Sequence, residues 1–218
     1  MEFTTDINNV MYAYIDRRGS LYDTECLSLF GTNSFNLVWE KICAEIMDNQ
    51  LDVPLGILKL PVPLKEDYNR RQKLIELIEK PLWTITGKCA KDTLIADLVS
   101  ICKVNEQHQF IIFDAKYYNA HLEKGIVPTG QPGIESITKQ YLYQLAYQRF
   151  IEDHKFSSVK NCFLLPTENN EIEDKGEVRM EMLSNLGLQD IKIRLIPATM
   201  AYDLYLSGSK MDMGKLDL

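Results

Sequence analysis

The stretch Phe110–Tyr118, FIIFDAKYY, constrains this chain more than any other. Its β-branched and aromatic residues read as a core strand, yet an acid and a base, Asp114 and Lys116, stand two residues apart inside it. Period-two alternation puts Ile112, Asp114, Lys116 and Tyr118 on one face and Ile111, Phe113, Ala115 and Tyr117 on the other. The two charges then point the same way, roughly 6.5–7 Å apart. The preceding run, LIADLVSI, sets Asp97 among equally apolar neighbours. Burying a lone carboxylate is costly, so two strands with an acid in each suggest a cation shared between them. Carboxylates and a backbone carbonyl, here that of Ala115, are the hard oxygen ligands that Mg²⁺ takes. An adjacent lysine can orient or deprotonate a water and balance the charge of a phosphodiester transition state. Each residue also has a plainer reading: Asp114 with Lys116 as a buried ion pair, and Asp97 as a strand-end acid bonded to backbone amides.

The elements around this strand follow from periodicity. Ser34 is an N-cap for SFNLVWEKICAEIMDN, where Phe35, Val38, Trp39, Ile42, Cys43 and Ile46 recur at helical spacing. Glu40 lies beside that stripe, either as a third acid reaching the metal through water or as an ordinary solvated glutamate. Glu66–Lys80 reads as a second helix ended by Pro81. LWTITG, TLIADLVSI and QFIIFDAKYY read as short strands in successive hairpins. After the loop HLEKGIVPTGQPG, a helix is expected from Ile134 to about Asp153, with Ile134, Ile137, Tyr141 and Leu145 inward. Gln140, Gln144 and Gln148 form an i, i+4 ladder on it; for Gln140 and Gln148 the reading is ordinary helix formers on a half-exposed face. SVKNCFLLP is expected as a strand, DKGEVRMEMLSNLG as a turn and helix ending at Gly187, and DIKIRLIPA as a strand. MAYDLYLSG is a short apolar piece. The order α, α, β, β, β, α, β, α, β predicts an α/β protein, an α+β mixed sheet flanked by helices. Residues 1–33 are a lead-in whose structure the pattern does not define, 34–206 the main domain, and 207–218 a polar C-terminal tail.

Composition narrows the function. The net charge of −7 is the wrong sign for a free-standing nucleic-acid binder, so any such activity needs partners to supply much of the grip. Local basic patches remain at Asn69–Lys73 and at Lys88 with Lys91. Five cysteines, odd in number and never spaced C-x-x-C, fit reduced thiols, and the three histidines have no metal-ligand spacing. No apolar run approaches the roughly 20 residues of a membrane span, and the N-terminus lacks a signal peptide's pattern, so a soluble protein with no membrane contact is expected.

Glu40 on an N-terminal helix, Asp97 on a strand and Asp114-Ala115-Lys116 on the next together resemble the PD-(D/E)xK nuclease superfamily. Ala96 stands where many members have proline, a departure that removes no ligand. FNLVWEKICAEIMDN, LIADLVSI, FIIFDAKYY and above all GIESITKQYLYQLAYQRF resemble the nuclease subunit of LlaJI-type restriction systems, itself similar to McrC. The likeness runs from roughly Phe35 to Leu206. It implies a Mg²⁺- or Mn²⁺-dependent endonuclease of the bacterial cytoplasm that cuts double-stranded DNA. Its metal ligands would be Asp97, Asp114 and the Ala115 carbonyl, with Glu40 acting through water. Lys116 would position the water, and Gln144, the match to a glutamine these families carry on this helix, would support it. A separate McrB-like AAA+ GTPase would gate cleavage. GTP would enter only through that partner, since this chain has no G-x-x-x-x-G-K-S/T loop. Cutting both strands would call for a transient homodimer. LlaJI-like nuclease chains carry further N-terminal sequence, so a shortened chain or a short split member is expected. Rival readings are a repair, recombination or transposition nuclease of the same fold, and a non-catalytic assembly subunit that keeps it.

Overall fold

The computed structural model describes residues 34–218. The lead-in expected over residues 1–33 lies outside the described residues. The chain divides into two compact units, Met1–Val38 and Trp39–Leu218. Of the first, only the start of helix α1 (Phe35–Ile46) is described.

The second unit is built on a five-stranded sheet whose strands lie in the spatial order Leu98–Val104 (β3), Gln107–Ala115 (β4), Ser158–Thr167 (β5), Ile191–Pro197 (β7), Glu173–Val178 (β6). Strand β3 (Leu98–Val104) and β4 (Gln107–Ala115) form an antiparallel hairpin. Its two-residue turn places Asn105 and Glu106 at positive φ, +48° and +66°, the conformation whose twist matches the flanking strands. Helix α2 (Ile134–Asp153) crosses over to β5 (Ser158–Thr167), which runs parallel to both β4 and β7 (Ile191–Pro197). Strand β6 (Glu173–Val178) closes the far edge antiparallel to β7, with an irregularity between Asp174 and Glu177. Helix α3 (Ala198–Ser207) leaves β7 and ends at Gly208, whose φ of +68° suits glycine. Before the sheet, β1 (Leu82–Trp83) and β2 (Lys88–Cys89) form a separate two-stranded hairpin.

The expected mixed sheet with flanking helices is present, and three local expectations are corrected. Glu66–Lys80 is not a helix: only Leu74–Leu77 makes a 3₁₀ turn. Its backbone groups are taken elsewhere, because Leu55 N–H donates to Gln72 O at 2.8 Å, Gly56 N–H to Arg70 O at 3.0 Å and Ile75 N–H to Leu51 O at 2.9 Å. A Cβ on Gly56 would meet Arg70 at 3.0 Å, so the close approach depends on that glycine. Second, the first half of DKGEVRMEMLSNLG is edge strand β6, and the helical part is a 3₁₀ piece, Glu181–Leu186, ended by Gly187 at φ +67°. Third, LWTITG supplies one two-residue arm and the turn of a hairpin whose other arm is Lys88–Cys89, and only Leu98 onward in TLIADLVSI is strand.

The inward face of α2 also differs from the expected one. Ile134 is 65% exposed and Leu145 37%, whereas Gln140, Tyr141, Tyr143, Gln144, Tyr147, Phe150 and Ile151 are buried. The aromatic rings decide the helix's rotation. Tyr147 packs on Phe110 with ring centroids 5.3 Å apart, and Phe150 meets Phe110 edge-on at 6.4 Å. Each such ring contributes about 1.5–3 kcal/mol by burial, more than the exposed leucine forgoes at the rim. The glutamines can follow them inward because backbone and side-chain partners await their amides.

The last residues, which read as a polar tail, fold back on the sheet. Met211 N–H donates to Ile46 O at 2.7 Å, and Leu216 is fully buried. The guanidinium of Arg194, 1% exposed on β7, donates to the carbonyls of Leu216 at 2.6 Å and Asp217 at 2.5 Å and lies 2.5 Å from the Asp174 carboxylate.

Candidate active site

Strand β4 delivers the acid and the base to one place. Phe110 and Ile112 sit under the aromatic face of α2. Asp114, two residues beyond Ile112, continues the same face. Strand pairing of Leu98 with Phe113 brings Asp97, at the entry to β3, alongside. Lys116 follows the last residue of β4, and its backbone N–H donates to Leu164 O at 2.9 Å, which holds the strand end to β5.

Here the three charges meet. Lys116 Nζ lies 2.5 Å from Asp114 Oδ1 and 3.6 Å from Asp97 Oδ2. Asp97 Oδ2 also accepts the Ala115 N–H at 3.0 Å. The contacts of both plainer readings, an ion pair and an acid bonded to a backbone amide, are thus present within one cluster. Asp114 is 4% exposed, while Asp97 and Lys116 are half-buried. Burial, then the hydrogen bond and charge of Asp97, push the Asp114 carboxyl up to about 8 against the pull of Lys116. Burial draws the Lys116 ammonium down, but the charges of Asp114, Asp97 and Glu40 outweigh it and leave it above the ordinary lysine value.

Glu40 is therefore within electrostatic reach of Lys116. Its neighbour Trp39, fully buried, donates its indole N–H at 3.1 Å to Leu164 O, the carbonyl that also receives the Lys116 amide. The helix bearing Glu40 is thereby pinned at the end of β4.

Gln144 is placed differently. Its Oε1 accepts the Asn161 Nδ2–H at 2.7 Å and the Gln189 N–H at 3.0 Å, so its carbonyl end is committed to β5 and the entry to β7. Asn161 pairs with Ile112, two residues short of Asp114. Gln140, expected on a half-exposed face, is fully buried and donates to Ile112 O at 2.8 Å. Gln148 is exposed and bonds Glu152, as an ordinary helix former does.

Two residues that the pattern did not single out as site residues matter here. Gln140 holds the carbonyl two residues before Asp114, and the Tyr143 hydroxyl donates at 2.7 Å to Ile95 O, two residues before Asp97. One helix thus fixes both acid-bearing segments. Burial, with the charges of Asp97 and Asp114, pushes the Tyr143 phenol up to about 12, which keeps it a donor. Their only signal in the sequence was proximity to Gln144.

The donor set suits a divalent cation. A carboxyl that burial, together with a second carboxylate facing it, keeps protonated up to about pH 8 is where a hard cation would replace the proton. Among the described residues, no three His, Cys, Asp or Glu side chains gather at metal-binding distance, so the acidic ligands would number two, supplemented by carbonyl and water.

A mixed sheet of this order, with paired acids and a lysine at the end of its antiparallel pair, is a restriction-endonuclease-like fold. The sequence model of the LlaJI restriction endonuclease family matches residues 4–202, and the chain belongs to that family. It is 28% identical over 201 residues to the type II restriction enzyme BsuMI component YdjA of Bacillus subtilis strain 168. That alignment covers 89% of this chain and 37% of the relative, so the chain spans little more than a third of that protein's length. No solved structure matches it.

Proposed function

We propose that this chain is the cleavage module of a LlaJI- or McrBC-like restriction system, a PD-(D/E)xK nuclease that hydrolyses phosphodiester bonds of double-stranded DNA. The observation that carries this reading is the meeting of Asp97, Asp114 and Lys116 at the end of the β3–β4 pair. Asp97 and Asp114 would hold Mg²⁺ or Mn²⁺ together with the Ala115 carbonyl, and Glu40 would reach it through water. Bound there, the cation supplies charge for a phosphoryl oxygen and lowers the pKa of the attacking water.

The chain's own groups do the rest. Lys116, held between two acids and charged at neutral pH, orients the water and neutralises charge developing on the phosphate. Phe110 and Ile112, buried on the same face as Asp114, exclude bulk solvent from that side. Gln144 acts from behind the wall by fixing Asn161 beside Ile112, and Gln140 and Tyr143 set the positions of the two acids. The net charge of −7 fits a module delivered to DNA by other subunits, an McrB-like AAA+ GTPase among them, and cleavage of both strands fits two copies acting together.

The test is plasmid cleavage in Mg²⁺ with the partner GTPase and GTP present. Asp114→Asn and Lys116→Ala are expected to lower the rate by about a hundredfold or more, as loss of a preorganised electrostatic group does. Cutting by both variants at the wild-type rate would overturn the assignment.

A further inference from the structure

The β1–β2 hairpin exposes an apolar tip that the site above does not explain. Leu82 is 59% exposed, Trp83 66% and Ile85 100%. Contiguous exposed apolar patches on soluble proteins mark binding sites, and hydrogen bonds define the shape of this tip. The Trp83 carbonyl accepts from Thr86 N–H at 3.1 Å, Gly87 N–H at 2.9 Å and the Thr86 hydroxyl at 3.1 Å, and Gly87 takes the positive φ, +64°, that closes the turn. The foot is clamped as well: Ala90 N–H donates to Pro81 O, Lys80 Nζ to Lys91 O and the Thr93 hydroxyl to Glu79 O, each at 2.7 Å.

Charge identifies the occupant. Lys80, Lys88 and Lys91 fall within residues 80–91, and no acid does, in a chain whose net charge is −7. Lys88 and Lys91 meet no carboxylate among the described residues. From the foot at Ala90 the chain runs to Asp97, a span of at most roughly 25 Å when extended, and Tyr143 holds it at Ile95 on the way. The hairpin's foot therefore lies within about seven base-pair rises of the two acids, inside the footprint of a duplex seated there.

We propose that the hairpin is a DNA-contacting wedge. Ile85 and Trp83 press against bases at a partly unstacked step, while Lys88 and Lys91 neutralise the flanking phosphates. Apolar wedges of this kind open base steps, and a two-stranded ribbon is narrow enough to enter a groove. This rests on the nuclease reading above and adds to it where the duplex lies.

The protein carries its own probe. Trp39 is fully buried and Trp83 is the other tryptophan, so acrylamide quenching of tryptophan fluorescence reports Trp83. With Ca²⁺ in place of Mg²⁺ to prevent cutting, a 30-base-pair duplex is expected to shield Trp83 from acrylamide at least twofold. Trp83→Ala and Ile85→Ala should each weaken duplex binding, measured by anisotropy, by about tenfold, the size of one lost base contact. Lys88→Ala should lower the salt slope by about one. Unchanged quenching, with both alanine variants binding as wild type does, would overturn the wedge and leave the hairpin to a protein partner. If Asp114→Asn abolishes cutting while Trp83 stays accessible, the nuclease reading stands and the wedge falls. A shielded Trp83 in a protein that never cuts gives the reverse.

Discussion

Asp114 sits where an ionised carboxylate is expensive, and that cost can be measured. In the metal-free native protein it keeps its proton up to about pH 8, whereas in the unfolded chain it ionises near its ordinary value of 3.8. Its folded value is raised, so the stability it confers is fully present below that ordinary value and is lost as pH rises toward 8. Melting scans in chelator from pH 5 to 8 should therefore show wild-type stability falling, and Asp114→Asn should flatten the slope and leave the variant more stable at pH 8. Adding Mg²⁺ should stabilise wild type more than the variant. Gln140→Ala leaves the Ile112 carbonyl without its amide and should cost about 1–3 kcal/mol in urea titrations, while Gln148→Ala stays within about 0.5 kcal/mol. At this scale the acids and the lysine were legible because a charge among β-branched residues violates the local pattern. Gln140 was not, because three glutamines at the same helical spacing look alike until something shows which amide finds a carbonyl.

At the scale of elements, pattern served where one period dominated. Strands β3, β4, β5 and β7 and the ends of α2 are near where apolar runs and glycines put them. The rotation of α2 was misjudged because aliphatic spacing was weighed above ring size. Tyr147→Ala is expected to cost about 3–5 kcal/mol, while Leu145→Lys on the rim changes stability by less than about 0.5 kcal/mol, and urea midpoints separate the two. The lost helix at 66–80 has a different cause: its carbonyls and amides pair with residues 51–56, a long-range choice that no window of sequence contains. The loop after Lys116 closes through His121 and Thr129, paired at 2.9 and 3.3 Å, and a Cβ on Gly130 would fall 2.2 Å from Asn119 O. Gly130→Ala should therefore open that closure, and amide exchange at His121 and Thr129 should quicken.

Across the whole molecule, the sheet interior is completed by the C-terminal segment. Arg194 lies in mid-strand, nearly sealed from solvent, and two of its carbonyl acceptors come from the segment at 211–217. Removing residues 210–218 should cost about 3 kcal/mol or more in denaturant melts, because the buried guanidinium would lose two carbonyl acceptors and keep only Asp174 and the Ile193 carbonyl. Composition read this segment as a tail since many of its side chains are polar, whereas its carbonyls and the buried Met211 and Leu216 tie it to the sheet. A shared reference governs the two acids. Asp97 and Asp114 stand at the open end of one hairpin, and each is stationed two residues past a point held by the same helix. Surveyors would call α2 a common benchmark. Two marks levelled from one benchmark share its position, so the helix fixes the spacing between them, the one dimension a small ion would gauge.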